Sequence, residues 1–181
     1  MVTYDDSLPV VWTPGELPEH ERLSVATTNE YVLEAVAAIE EHANEPLSED
    51  QPELHQELKR MDAKIHLVLD MLARMMQDRE GWPRPRRVRI GLERIEFRAG
   101  DDDLAPGQVG SLSLYLHSAI PEPLRLTGTV AEPFDDDDGR TWRALDLDPM
   151  ERELRDRLSR HIFRHHRRSV AAARRLGGDA E

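Results

Sequence analysis

Between Leu54 and Met75, the residues Leu54, Leu58, Met61, Ile65, Val68, Leu72 and Met75 recur at alternating steps of four and three. A strand cannot use that spacing. A helix of 3.6 residues per turn brings all seven onto one stripe. The pattern predicts a long helix over residues 52–80, with Leu58, Ile65 and Leu72 at heptad position a and the other four at d. Pro52 falls in its first turn, where the missing N–H costs nothing. Leu69 and Met76 widen the stripe at e, and Met71 at g. A two-stranded coiled coil needs only a and d, so this face predicts several partner helices or additional packing on the helix's own domain. We assign 52–80 as an oligomerisation helix, the alternative being an ordinary amphipathic helix packed within one chain.

The charge is divided along the chain. Residues 1–80 carry 18 acids and 6 bases, and residues 81–181 carry 18 of each. The acidic half accounts for the whole net charge of −12, which argues against a general nucleic-acid binder. The chain has no cysteine, which excludes disulfides, thiolate zinc sites and thiol nucleophiles. The stretch "MVTYDDSLPVVW" has acids where a secretory leader needs bases. No apolar run approaches the roughly 20 residues of a membrane helix. The expectation is a cytoplasmic protein without membrane contact.

Residues 1–26 read as an irregular acidic arm with one docked patch at Val10, Val11 and Trp12. Residues 27–43 read as an amphipathic helix with Val32, Val36 and Ile39 inward, capped by Thr28 or Asn29. Past Pro83 and Pro85 the period changes to two. In "RRVRIGLERIEFR" the apolar parity slips near Glu93–Arg94, which predicts a bulge or a break between two short strands. "QVGSLSLYLH", "LRLTGTV" and "TWRALDLD" follow as strands. Their close spacing predicts antiparallel pairing. Asp148, Pro149 and Glu151 signal a helix start. That helix carries Leu154, Leu158 and Ile162 inward and runs to Gly177, leaving 177–181 as a tail.

The strand "RVRIGLERIEF", the pair within "PGQVGSLSLYLHSAIPEPLRLTGTV" and the closing "LRDRLSRHIFRHHRR" resemble the PilZ family. The long helix ahead of them resembles a divergent PilZ subgroup that associates into tetramers through a coiled coil. The resemblance implies an α+β fold: a small antiparallel PilZ-like β-barrel over 84–176, closed by a C-terminal helix and preceded by the heptad coiled coil. It also implies a homotetramer and a non-enzymatic regulatory role in second-messenger signalling, motility or pilus assembly, exerted on a protein partner. The oligomerisation residues are Leu54, Leu58, Met61, Ile65, Val68, Leu69, Leu72 and Met75.

Ordinary PilZ domains bind cyclic di-GMP through R-x-x-x-R on the linker and D/N-x-S-x-x-G on an early strand. Arginines meet phosphates in pairs and stack on bases. Registered on Ile95 and Phe97, the second motif falls on Arg89, Gly91 and Arg94, none of which matches. On the linker, no two of Arg84, Arg86, Arg87 and Arg89 are four apart. No nucleotide site carries over. Arg94 and Arg98 flank Glu96 on one face, as on the wet side of a sheet. Arg84, Arg86, Arg87 and Arg89 stay open as a displaced anion site for cyclic di-GMP.

His161 and His165 lie one turn apart, a spacing that can hold a metal. No third ligand is evident and Arg160, Arg164, Arg167 and Arg168 surround them, so no metal and no cofactor are expected. Seven arginines and no acid lie between Arg157 and Arg175. They can touch nucleic acid, an acidic partner, or the chain's own acidic half, and the last is favoured. Asp101–Asp103 and Asp135–Asp138 read as solvated loops, because calcium loops alternate their ligands. No motif indicates an enzyme.

Overall fold

The computed structural model describes residues 2–42, 56–58, 60–61, 63–65, 67–68, 71–72, 75, 83–100 and 104–178. Its centre is a closed antiparallel barrel of six strands. Around the barrel run β1 (Tyr4–Pro14), β4 (Val109–Leu114), β5 (Leu124–Val130), β7 (Thr141–Leu147), β3 (Arg94–Arg98) and β2 (Pro85–Ile90), which returns to β1. A two-residue strand, β6 (Phe134–Asp135), pairs on β7 outside this ring. Helices α1 (Glu19–His42) and α2 (Arg152–Gly178) pack on the barrel and on each other.

Alternation builds the core. Val88, Ile90, Ile95 and Phe97 from β2 and β3 are fully buried, and so are Leu112, Leu114, Leu124 and Leu145. On β2, β3 and β5 the residues between them are more exposed, as a period of two requires, whereas Ser111, Ser113 and Ala144 beside Leu112, Leu114 and Leu145 are buried as well. The expected slip near Glu93–Arg94 is a break: β2 ends at Ile90, and Gly91 N–H donates to the Arg94 carbonyl at 3.0 Å across the turn. Gly128 lets β5 meet β7, since a Cβ there would run into the Asp146 carbonyl.

The N-terminal arm is corrected. Residues 4–14 form β1, which shifts partners part-way along. Tyr4–Pro9 pair with β2 and Val10–Pro14 with β4. Pro9, which has no N–H to give, stands at the changeover. The barrel is therefore not confined to 84–176; β1 completes it. The first helix begins at Glu19 rather than residue 27, so Thr28 and Asn29 lie inside it and cap nothing. The last helix begins at Arg152, three residues after Pro149, with Arg155 N–H donating to the Glu151 carbonyl. Asp148 instead donates its N–H to Thr127, extending the β5–β7 contact.

Leu158 and Ile162 of α2 are buried in the common core, with Leu154 packed against it, as expected. Val32, Leu33 and Val36 of α1 join the same cluster. Asp101–Asp103 lie outside the described residues. In the other acidic loop Asp136 organises the turn. Its Oδ1 accepts from the Asp138 and Arg140 amides, and its Oδ2 from Trp142 Nε1 at 2.9 Å.

Candidate functional site

The heptad segment is described at Leu58, Met61, Ile65, Val68, Leu72 and Met75, which are helical and between 51% and 59% exposed. Leu67 and Met71 are likewise helical and exposed, at 61% and 58%. Leu54 and Leu69 lie outside the described residues. Apolar residues at a and d of a heptad thus face outward from this single chain, although burying a leucine-sized side chain is worth about 1.5–3 kcal/mol. Contiguous exposed apolar side chains commonly mark sites of association.

The linker arginines do not converge. Arg84 lines a cleft with Ser7, Tyr115 and His117. Arg87 and Arg89 line another with Asp5, Asp136 and Trp142. Arg89 is committed there: Nε donates to Asp5 at 2.9 Å and Nη1 to Glu96 at 3.1 Å. Its guanidinium also sits 5.8 Å from the Trp142 ring centre. The hydrogen bond to Asp5 leads the causes that raise its pKa. Arg86 folds across Gly100, where a Cβ would strike its guanidinium. Arg94, on the face read as wet, is bound to Asp146 at 2.6 Å.

Three arginines of α2 meet the acidic half, the contact favoured from sequence. Arg157 reaches Glu34, Arg164 reaches Glu40 and Glu41, and Arg168 reaches Glu40. Glu40, with only 11% of its side chain exposed, is the hub of this contact.

Around Glu40 the structure assembles a cluster that sequence reasoning missed. His165 Nε2 lies 2.7 Å from Glu40 Oε1. That nitrogen is buried and faces the carboxylate. His161 Nε2 is 2.8 Å from the Tyr4 hydroxyl, and its Nδ1 is buried without a partner. Tyr4 stacks on His165 with ring centres 4.6 Å apart. His166 donates from Nδ1 to the Thr3 carbonyl at 2.9 Å. Burial raises the Glu40 pKa, but His165, Arg164 and Arg168 outweigh it and hold the carboxyl down to about 2. Burial pushes His161 down to about 4, His165 adding to the effect. Burial, Asp6 and Glu40 all raise Tyr4. At neutral pH the cluster holds a carboxylate, a neutral imidazole at His161 and an intact phenol.

Comparison with known proteins adds three findings. The atypical PilZ domain family, described as a cyclic di-GMP receptor, matches residues 33–175. A Xanthomonas campestris protein, described as a tetrameric PilZ domain self-assembled through a helical bundle, superposes with a TM-score of 0.70. It is 29% identical, over 94% of this chain and 91% of that one. The Bacillus subtilis inhibitor of motility MotI/DgrA aligns at 15% identity and a TM-score of 0.36, over 44% of this chain and 41% of that one. No curated protein matches the chain significantly.

Proposed function

The chain belongs to the atypical PilZ domain family, and from that premise we propose that it is a non-enzymatic regulatory scaffold that self-associates through its heptad helix. The observation that carries this is the row of a and d side chains, each more than half exposed in the single chain. The Xanthomonas protein's helical-bundle tetramer supports a four-chain assembly here. The broad stripe supports it too, since a dimer seam would leave the e and g side chains wet. Each protomer then presents its barrel outward to a protein partner in cytoplasmic second-messenger, motility or pilus-related signalling. Among the described residues no helix is long and apolar enough to cross a membrane.

The test is Ile65→Asp with Leu72→Asp, read by light scattering. Charge in a buried seam is costly, so the double variant should fall to the mass of one chain. Retention of the wild-type mass would remove the heptad helix as the association surface.

The family description favours a second reading, a cyclic di-GMP receptor with a displaced site. Two of the four linker arginines support it, each at a different cleft. Arg84 borders the cleft beside Tyr115, and Arg87 is exposed on β2. Nucleic-acid binding by α2 is third, because Arg157, Arg164 and Arg168 are neutralised by acids of the chain itself.

A further inference from the structure

We infer that Glu40, His161 and His165 form a site for one divalent transition-metal ion of the zinc class, clamping α1 to α2 against the start of β1. This stands apart from the oligomerisation reading and uses none of its residues.

The ligand set comes first. Two imidazoles and one carboxylate are a common protein donor set for zinc, with a fourth position left for water. His161 and His165 project from one face of α2 at i and i+4, the spacing by which a single helix gives two ligands. Glu40 arrives from α1. One ligand atom from each lies within 4.8 Å of the others. Tetrahedral ligands at about 2.1 Å from the metal stand about 3.4 Å apart. The pocket thus closes by shifts on the order of 1 Å, with the His165–Glu40 contact opening slightly.

The buried nitrogens come second. His165 Nε2 is buried against Glu40 Oε1 at 2.7 Å, and His161 Nδ1 is buried without a hydrogen-bond partner. Buried polar atoms are rarely left so. The two rings lie side by side, tilted by 46° with centres 4.4 Å apart. Tyr4 occupies the other nitrogen of His161 at 2.8 Å. A metal-binding histidine is commonly held this way, with its second nitrogen fixed by a neighbour so that the first is aimed at the metal. With Nε2–H donating to the phenol oxygen, Nδ1 offers its lone pair.

The arginines do not forbid the ion. Arg164 and Arg168 contact Glu40, and Arg164 also contacts Glu41 at 3.3 Å. Among the described residues, these two cations stand beside two carboxylates, so the arginine charge is matched there. A carboxylate has about four lone-pair positions, so Glu40 can keep both guanidiniums and still ligate. These contacts fix the carboxylate as outer partners fix other metal ligands.

The experiment uses the full, tag-free chain stripped with EDTA and then dialysed. Zinc chloride is titrated by calorimetry at pH 7.5, with thermal unfolding of the loaded and stripped protein alongside. The expected result is saturation at one zinc per chain, a rise in Tm, at least tenfold weaker binding in His165→Ala, and unchanged binding in His166→Ala. Cobalt(II) chloride on the wild type gives a readout that needs no variant: a four-coordinate visible spectrum that zinc abolishes. No saturable zinc binding, binding as tight in His165→Ala as in wild type, or a six-coordinate cobalt spectrum would each overturn the site.

Discussion

Asn29 and Arg125 exchange two hydrogen bonds of 2.8 Å: the Asn29 amide donates to the Arg125 carbonyl and accepts from its N–H. Side-chain amide and strand backbone pair as two strands would. The position explains the need. β7 pairs with β5 only from Gly128 onward, so Arg125 presents its backbone groups at an open edge. Asn29, 3% exposed, closes that edge and docks α1. Replacing Asn29 with Ala leaves a donor and an acceptor unpaired, at about 1–3 kcal/mol per buried group. Urea unfolding of Asn29→Ala should show a loss of about 2 kcal/mol or more, and a loss below about 0.5 would mean that water replaces the amide.

The β5–β7 seam is the tightest backbone approach around the barrel's glycines. A methyl at Gly128 meets a carbonyl oxygen of the facing strand, which cannot turn aside as a side chain can. Overpacking costs typically 1–3 kcal/mol, and a backbone obstacle puts Gly128→Ala at the upper end. Gly139→Ala is the control: it sits at φ +70 with open space around it, so only local strain of about 1 kcal/mol applies. Thermal unfolding of the two variants should rank them in that order.

Burial gives the fold an acid-sensitive joint. His161 titrates near 4 in the folded protein, against an ordinary 6.5. It is faced by Tyr4 of β1, Glu40 of α1, and His165, Arg164 and Arg168 of α2. The folded value is the lower one, so its contribution is complete above pH 6.5 and is lost as pH falls toward 4. Linkage sets that loss at about 3 kcal/mol. Glu40 acts in the next window. Its carboxyl is held near 2 against an ordinary 4.5, so its share is complete above 4.5 and disappears below. In EDTA, the urea midpoint should fall steadily from pH 6.5. In His161→Gln the fall should begin only near pH 4.5. Equal slopes in the two proteins between 6.5 and 4.5 would remove His161 as the cause.

The period of an element was readable wherever one face is buried. Leu112 with Leu114, and Leu124 with Leu126 and Val130, announce their strands because the core lies on one side of each. β1 also has its signal: Tyr4, Leu8, Val10 and Trp12 share one parity. Asp5 and Asp6 disguised it. Asp5 is balanced by Arg89 from the neighbouring strand, a pairing visible only once β1 and β2 are side by side. Asn29 was misread as a cap. It lies three, four and seven residues before Val32, Leu33 and Val36, which marks it as a polar group on a buried face. Glu40 could not be placed beside His161 and His165 from sequence, because that depends on how α1 packs against α2. The PilZ resemblance anticipated the barrel and its closing helix, which alternation alone does not close into a ring.

Cyclic di-GMP offers the test that separates the two readings of this protein. Binding needs guanidiniums free to meet phosphate. Arg89 would have to leave Asp5 and Glu96, and Arg86 its packing across Gly100, before all four linker arginines faced one ligand. Charge-assisted bonds of this sort are worth about 1.5–3 kcal/mol each, somewhat less where exposed to solvent as at Arg89. Two such losses offset most of what a paired phosphate contact returns. Calorimetry of the folded protein should therefore show no saturable heat at micromolar nucleotide. If an isotherm appears, Arg84→Ala and Arg87→Ala decide its location. Weakening by Arg84→Ala alone would place the ligand in the Tyr115 cleft and weakening by Arg87→Ala alone beside Trp142, and either result would give the receptor reading precedence over the scaffold.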